Sequence, residues 1–114
     1  EIKSPIKKLI SDKGYVIDAN IEEGYRLNID GIKKNFAIQA QTGNASRFYA
    51  DIIKLQYLFD KKRVEQAIYI CFTKKFFEKH FSSNIITLER AQSEIKLFNS
   101  IITVPINFIS LEID

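Results

Sequence analysis

The sequence predicts an α/β fold in which helices flank one mixed central β-sheet, and two observations carry this prediction. Short apolar runs with the two-residue alternation of β-strands occur between longer runs with the spacing of an amphipathic helix. One run, Ala67 to Phe72, is almost wholly apolar, which is typical of a central strand covered on both faces. The predicted order is helix, three strands, helix, strand, helix, strand, which forms a layered α/β domain.

The first part of the chain predicts a helix followed by three strands. Ser4 and Pro5 suit the cap and first turn of a helix at about 5–13, and Gly14 suits its end. Gly43-Asn44 is expected to end the strand segment and to precede the next helix. The three strands are expected at 15–21, 24–30 and 35–41.

The second part predicts two helices and two strands. Ser46 is expected to cap a long helix, and Thr87 a later one that ends at Leu97. The last strand covers 102–113, where Pro105 indicates a sheet edge or a strand start. The apolar stripe of the long helix is Phe48, Ile52, Leu55 and Phe59.

Length and composition predict one domain over residues 1–114. A chain of 114 residues is near the commonest domain size, and 46% hydrophobic with 27% charged residues is typical of a globular rather than a disordered protein. No apolar run approaches the ~20 residues of a membrane helix. The single Cys71 cannot form an internal disulfide, so we expect a cytoplasmic location. The chain contains no Met, even at its start, and we expect a fragment of a longer chain.

A polar cluster on the predicted hairpin is the candidate site. Alternation along the two strands places Asp30, Gln39 and Gln41 on one face. Lys33-Lys34 is expected at the turn centre, which sets Asp30 opposite Ala37. Asp30 and Gln39 are then diagonal neighbours, about 7–8 Å apart at the backbone. Side chains of this length can share one ion on a rigid sheet.

Simpler interpretations of these residues stay open. Asp30 before Gly31 is also typical of a hairpin turn, and Gln39 and Gln41 also suit the solvated face of an edge strand. His80 lacks a second His or Cys to complete a zinc site, which favours a surface role. Short basic clusters suit either phosphate contacts or solvated turns and helix ends. These clusters are Lys7-Lys8, Lys33-Lys34, Lys61-Lys62-Arg63 and Lys74-Lys75.

The hairpin and the segments that follow it resemble a known family. An Asp that ends one strand, a Gln-x-Gln at the next, a Gly-Asn turn and a helix resemble the PD-(D/E)XK superfamily of restriction-endonuclease-like nucleases. The pattern is most similar to type II restriction endonucleases whose second motif reads Glu-x-Gln and which cut palindromes built around GATC. The resemblance spans about 4–111. Beyond the hairpin it rests on Ser46 to Gln56, Gln66 to Ile70, and Thr103 to Ile106.

This resemblance implies a DNA endonuclease that hydrolyses phosphodiester bonds at a specific double-stranded site with Mg²⁺. It implies catalytic roles for Asp30, Gln39 and Gln41, and a metal ion held by Asp30, Gln39 and the carbonyl of Ala40. Two scissions on a palindrome imply a homodimer. Backbone N–H groups at the start of the long helix favour an anion, so DNA contacts are expected there. The candidates are Asn44, Ser46, Arg47 and Lys54, although Ser46 also suits a cap and Lys54 also suits a helix-surface pair with Asp51.

One residue departs from the family pattern. Gln39 stands where the family has its central acid, and an amide lacks the negative charge that a hard cation favours. Either this is a nuclease whose Glu was changed to Gln, in nature or by design, or it is a nuclease fold kept as an inactive DNA-binding or assembly module. A sheet that serves a protein partner only is a third interpretation.

Overall fold

Residues 3–41, 45–72 and 86–111 are described by the structure, which is a computed structural model. The predicted turn at Gly43-Asn44, as well as His80, lies outside these residues. Within them the helices and strands follow the predicted order, and none of the helices has the length and apolar character to cross a membrane. The elements are α1 Lys3–Asp12, β1 Val16–Asn20, β2 Asn28–Lys33, β3 Phe36–Ala40, α2 Ala45–Asp60, β4 Gln66–Phe72, α3 Leu88–Leu97 and β5 Ile106–Leu111.

The strands form one mixed sheet in the order β1-β2-β3-β4-β5. The first three strands pair antiparallel, and β3, β4 and β5 pair parallel. Parallel neighbours need long crossovers, and α2 lies in the connection from β3 to β4 as α3 lies in that from β4 to β5. The predicted mixed α/β class is therefore confirmed, with β4 in the interior and β5 at the edge that Pro105 indicated.

The helices cover both faces of the sheet and divide the core into two clusters. Ile6 and Ile10 of α1 pack against one face. The opposite face carries the larger cluster, in which Phe48 of α2 lies edge-on to Tyr69 of β4, with ring centroids 5.3 Å apart. Ala91 of α3 is buried in the same cluster. The face under α2 is the one that also carries the candidate site, as shown below.

The β2–β3 hairpin turns one residue later than predicted, which shifts the register of the two strands by two residues. Its turn is Lys34-Asn35, and Lys34 has the positive φ of 53° that a tight two-residue hairpin turn needs. The predicted turn centre at Lys33-Lys34 was therefore wrong. The ladder now sets Asp30 across from Gln39, not Ala37. The paired residues are Lys33 with Phe36, Ile32 with Ala37, and Gly31 with Ile38.

Element boundaries differ from the prediction in three further places. β2 begins at Asn28 instead of residue 24, and the final strand begins at Ile106 instead of residue 102. α2 begins at Ala45, so Ser46 lies in its first turn and is not its cap. The predicted cap of α3 is confirmed, because the Thr87 side chain accepts a hydrogen bond from the amide of Arg90.

Candidate active site

The site lies where β2 and β3 separate. Backbone pairing between the two strands ends at Gly31 and Ile38. Beyond that pair, side chains supply the contacts between the strands. The amide of Asp30 donates to Gln39 Oε1 at 2.9 Å, and the amide of Ala40 donates to Asp30 Oδ2 at 2.7 Å. The structure therefore brings Asp30 and Gln39 together and fixes the Asp30 carboxylate against β3.

The neighbouring edge strand is also irregular beside Asp30. Pairs between β1 and β2 form on either side of Asp18 but not at it, and Asp18 has a φ of 50°. Such a backbone angle costs about 1–3 kcal/mol outside glycine. Lys7 of α1 holds Asp18 through an ion pair of 2.9 Å. Pairing with β1 is thus interrupted at Asp30 and pairing with β3 ends beside it, which leaves the sheet open there.

A cleft of about 530 Å³ lies at this opening, and Asp30 and Gln39 are among its lining residues. Both side chains are almost fully buried, with exposed fractions of 3% and 4%. The side chains of Asp30 and Gln39 therefore face the cleft and not bulk solvent. The other charged side chains that line the cleft are Lys7, Asp18, Arg47, Asp51 and Lys54.

Asp51 of α2 is a site residue that the sequence reasoning missed. It is 4% exposed, and the hydroxyl of Tyr69 donates to its Oδ2 at 3.1 Å. Lys54 Nζ lies 3.5 Å from its Oδ1. Burial raises the pKa of Asp51 and the charge of Asp30 adds to this, against the opposing effects of Lys54 and Tyr69. Burial also raises the pKa of Tyr69, so its phenol stays protonated and acts as a donor.

Gln41 is not among the described residues that line the cleft. Its side chain is 2% exposed, and its Nε2 donates to the carbonyl of Ile86 at 2.5 Å, next to the cap of α3. Its Oε1 has no hydrogen-bond partner among the described residues. Two of the three predicted catalytic side chains therefore meet in the cleft, while the third anchors the end of β3.

The predicted DNA contacts divide in a similar way. Arg47 and Lys54, on α2, line the cleft. Lys54 also donates to the carbonyl of Asn28 at 2.7 Å, which holds its ammonium group at the start of β2. Ser46 is exposed in the first turn of α2, and Asn44 lies outside the described residues. The basic part of the cleft is thus formed by α2 together with Lys7 of α1.

The fold and the sequence match known proteins. The structure is similar to the crystal structure of restriction endonuclease BglII complexed with a DNA 16-mer, with a TM-score of 0.76 and 18% identity. The match covers 96% of this chain and 52% of that one, so the chain spans about half the length of this relative. No curated protein sequence matches. The predicted restriction-endonuclease-like fold is confirmed, and because the profile of restriction endonuclease BglII/BglIII matches residues 1–111, the chain belongs to that family.

Proposed function

We propose that this chain is the catalytic core of a Mg²⁺-dependent, type II restriction endonuclease that hydrolyses phosphodiester bonds at a specific site in double-stranded DNA. Family membership supports the proposal, and one observation carries it. The cleft combines the buried carboxylate of Asp30 with the cationic side chains of Lys7, Arg47 and Lys54. A metal-assisted attack on a phosphodiester needs this combination, because a carboxylate favours the ion and cations favour the phosphate oxygens.

The donor set of the cleft fits a hard divalent cation. Among the described residues no three His, Cys, Asp or Glu side chains form a metal cluster. Mg²⁺ does not need one, since one or two carboxylates together with water and substrate phosphates usually hold it. Asp30 supplies a carboxylate and Gln39 lines the same cleft, while the carbonyl of Ala40, a buried residue that is not among the described lining residues, is the third ligand of the proposal. When bound, Mg²⁺ lowers the pKa of the attacking water and polarises the phosphate.

The side chains of the protein position the reacting groups. Gln39 Oε1 accepts the amide N–H of Asp30 and so orients the residue that carries the carboxylate. Arg47 and Lys54 neutralise the charge that builds on the phosphate oxygens. Gln41 cannot serve as a base, because an amide does not titrate in this range. Because Gln41 is not among the described residues that line the cleft, its part in the proposal is to hold the end of β3 against Ile86, next to the cap of α3.

Restoring the acid tests the proposal. We expect Gln39→Glu to speed cleavage of supercoiled plasmid by about 10²–10³-fold in Mg²⁺, which is the scale of one preorganised electrostatic group. Adding Asp30→Asn should abolish that gain, and chelation of the metal should do the same. Gln66→Glu is the matched control, because it makes the same change at an exposed residue of β4. Absence of cleavage by the Gln39→Glu chain overturns the proposal.

The neutral amide at Gln39 favours a second candidate function, a catalytically inactive module for DNA binding or assembly. This module would bind duplex DNA with an affinity that falls as salt rises, yet none of its Gln39 variants would cleave. A chain that serves only a protein partner would have no salt-dependent affinity for DNA. Cleavage and binding assays on the same variants therefore separate the candidates.

We also propose that the nuclease works as a homodimer in the cytoplasm. Cleavage of both strands of a palindrome needs two active sites, and a twofold-symmetric dimer presents two identical sites to a symmetric duplex. The one cysteine, Cys71, is a free buried thiol, which suits a reducing compartment. Sedimentation velocity with and without duplex DNA tests the dimer. A monomer in both conditions would contradict it.

A further inference from the structure

We infer that Asp51 supplies the second carboxylate of the metal site, in place of the acid that is missing at Gln39. The inference rests on the proposed function, because the ion is the one that the nuclease would use. The second carboxylate then comes from α2, whereas the family motif has it on β3.

Asp51 and Asp30 line the same cleft from different elements. Asp30 comes from β2 and Asp51 from α2, which packs over that face of the sheet. Their exposed fractions are 4% for Asp51 and 3% for Asp30. Both carboxylates thus line one cleft and are shielded from bulk solvent, which strengthens the attraction of a cation to them. The pair therefore matches the one or two carboxylates with which proteins hold Mg²⁺.

The sheet register relates Asp51 to position 39. Gln39 of β3 pairs in parallel register with Tyr69 of β4, so the two side chains project on the same side of the sheet. The Tyr69 hydroxyl reaches Asp51 Oδ2 at 3.1 Å. Asp51 thus lies over the pair of residues from which an acid at position 39 would project. The carboxylate on α2 therefore faces the same cleft as the side chain at position 39.

The two partners of Asp51, Lys54 and Tyr69, fix the direction of its carboxylate in the cleft. Lys54 Nζ lies 2.7 Å from the carbonyl of Asn28 but 3.5 Å from Asp51 Oδ1, so the ammonium group is held mainly by the backbone. Tyr69 donates a hydrogen bond but carries no charge. These contacts orient the Asp51 carboxylate, and such an oriented anion is a good cation ligand.

Binding of Mn²⁺ to the purified chain, followed by electron paramagnetic resonance without DNA, tests the inference directly. We expect the wild-type chain to bind Mn²⁺, and Asp30→Asn and Asp51→Asn each to weaken binding by at least ~10-fold, the scale of losses at metal sites. Asp60→Asn is the matched control, since Asp60 is exposed on the same helix, where its Oδ1 accepts a hydrogen bond from Gln56, and it is not among the described residues of the cleft. Circular dichroism verifies that each variant folds.

A charge exchange gives a second, sharper result. If Asp51 replaces the missing acid, Gln39→Glu should restore Mn²⁺ binding to the Asp51→Asn chain, because it returns the carboxylate to β3. Unchanged affinity in Asp51→Asn, failure of the rescue, or no Mn²⁺ binding by the wild-type chain would each overturn the inference. The plasmid assay of Gln39→Glu decides the nuclease proposal separately, since these Mn²⁺ affinities are measured without DNA and without turnover.

Discussion

Gly31, next to Asp30, lets α1 lie directly against the strand that carries the site. A Cβ at this position would lie 2.9 Å from Cγ2 of Ile10 and of Ile38. Both neighbours are buried core residues with little room to move. We expect Gly31→Ala to lower the free energy of unfolding by about 1–3 kcal/mol, the usual cost of overpacking, as measured by urea denaturation.

A double variant isolates the cause of that loss. Ile10→Ala removes one of the two clashing methyl groups, although it has its own cost in lost packing. Gly31→Ala and Ile10→Ala should therefore destabilise the protein less together than the sum of their separate effects. Strictly additive losses would show that the close approach of α1 to β2 is not what requires glycine.

Asp51 makes the native state sensitive to pH. Burial raises its pKa above the ordinary 3.8, so the native state binds this proton more tightly than the unfolded chain does. The contribution of Asp51 to the free energy of unfolding therefore falls as pH rises from about 3.8 through the native pKa. Above that range the carboxylate is ionised, and its burial beside Asp30 lowers stability.

Asp51→Asn should remove this penalty while keeping an oxygen that accepts from Tyr69. In metal-free buffer we expect its melting temperature to exceed that of the wild-type chain at neutral pH. The difference should vanish once the pH is below the ordinary pKa of 3.8, where both side chains are neutral. Thermal unfolding followed by circular dichroism across this range measures it. A lower melting temperature for Asp51→Asn at neutral pH would contradict the expectation.

At the scale of the elements, Gln56 ties α2 to the segment that leads into β5. Its Oε1 accepts from the amides of Thr103 and Val104 at 2.8 Å each, and its Nε2 donates to Thr103 Oγ1 at 2.8 Å. Gln56→Leu leaves these amides without their partner, so we expect the free energy of unfolding to fall by about 1–3 kcal/mol. Gln56→Glu keeps the acceptor and should lose less. Equal losses in urea denaturation would show that the accepted hydrogen bonds are not responsible.

The helices and strands could be predicted because their apolar residues recur with the spacing of a helix or a strand. The register of the hairpin could not be predicted in this way. Lys33-Lys34 and Lys34-Asn35 are equally polar, and only backbone geometry selects the second pair as the turn. The start of β2 was misplaced for a related reason. Tyr25 and Leu27 continue the alternation of the strand, yet they are 63% and 47% exposed and lie before it. Alternation alone cannot distinguish a strand from an extended approach to one.

The candidate site was predictable only in part. The alternation brought Asp30 and Gln39 to one face, and the structure agrees. Asp51 was missed even though the sequence carries a signal, because it stands three residues after Phe48 and four before Leu55, on the apolar face of α2. An acid at such a position is buried by the packing of the helix. The cleft itself depends on how α2 lies across the hairpin, which helical periodicity does not fix.

At the scale of the whole molecule, the two helix layers contribute charge to one opening. Lys7 comes from α1 and Arg47 from α2, and these helices pack on opposite faces of the sheet. Both line the cleft beside Asp30, near the start of β2, where the pairing with β1 is interrupted and the pairing with β3 ends. The net charge of +3 is small, so its placement matters more for a phosphate backbone than its size.

The salt dependence of DNA binding tests that placement. If Arg47 contacts a phosphate, Arg47→Ala should weaken binding to duplexes of any sequence and reduce the slope of log affinity against log salt by about 0.9, the value for one lost phosphate contact. Fluorescence anisotropy at several salt concentrations measures both. Lys8→Ala is the control, since Lys8 is an exposed α1 residue that pairs with Asp12 and is not among the described residues of the cleft. Equal changes in slope for the two variants would mean that the basic residues act through general charge, whereas a change confined to Arg47→Ala locates the DNA backbone at the cleft.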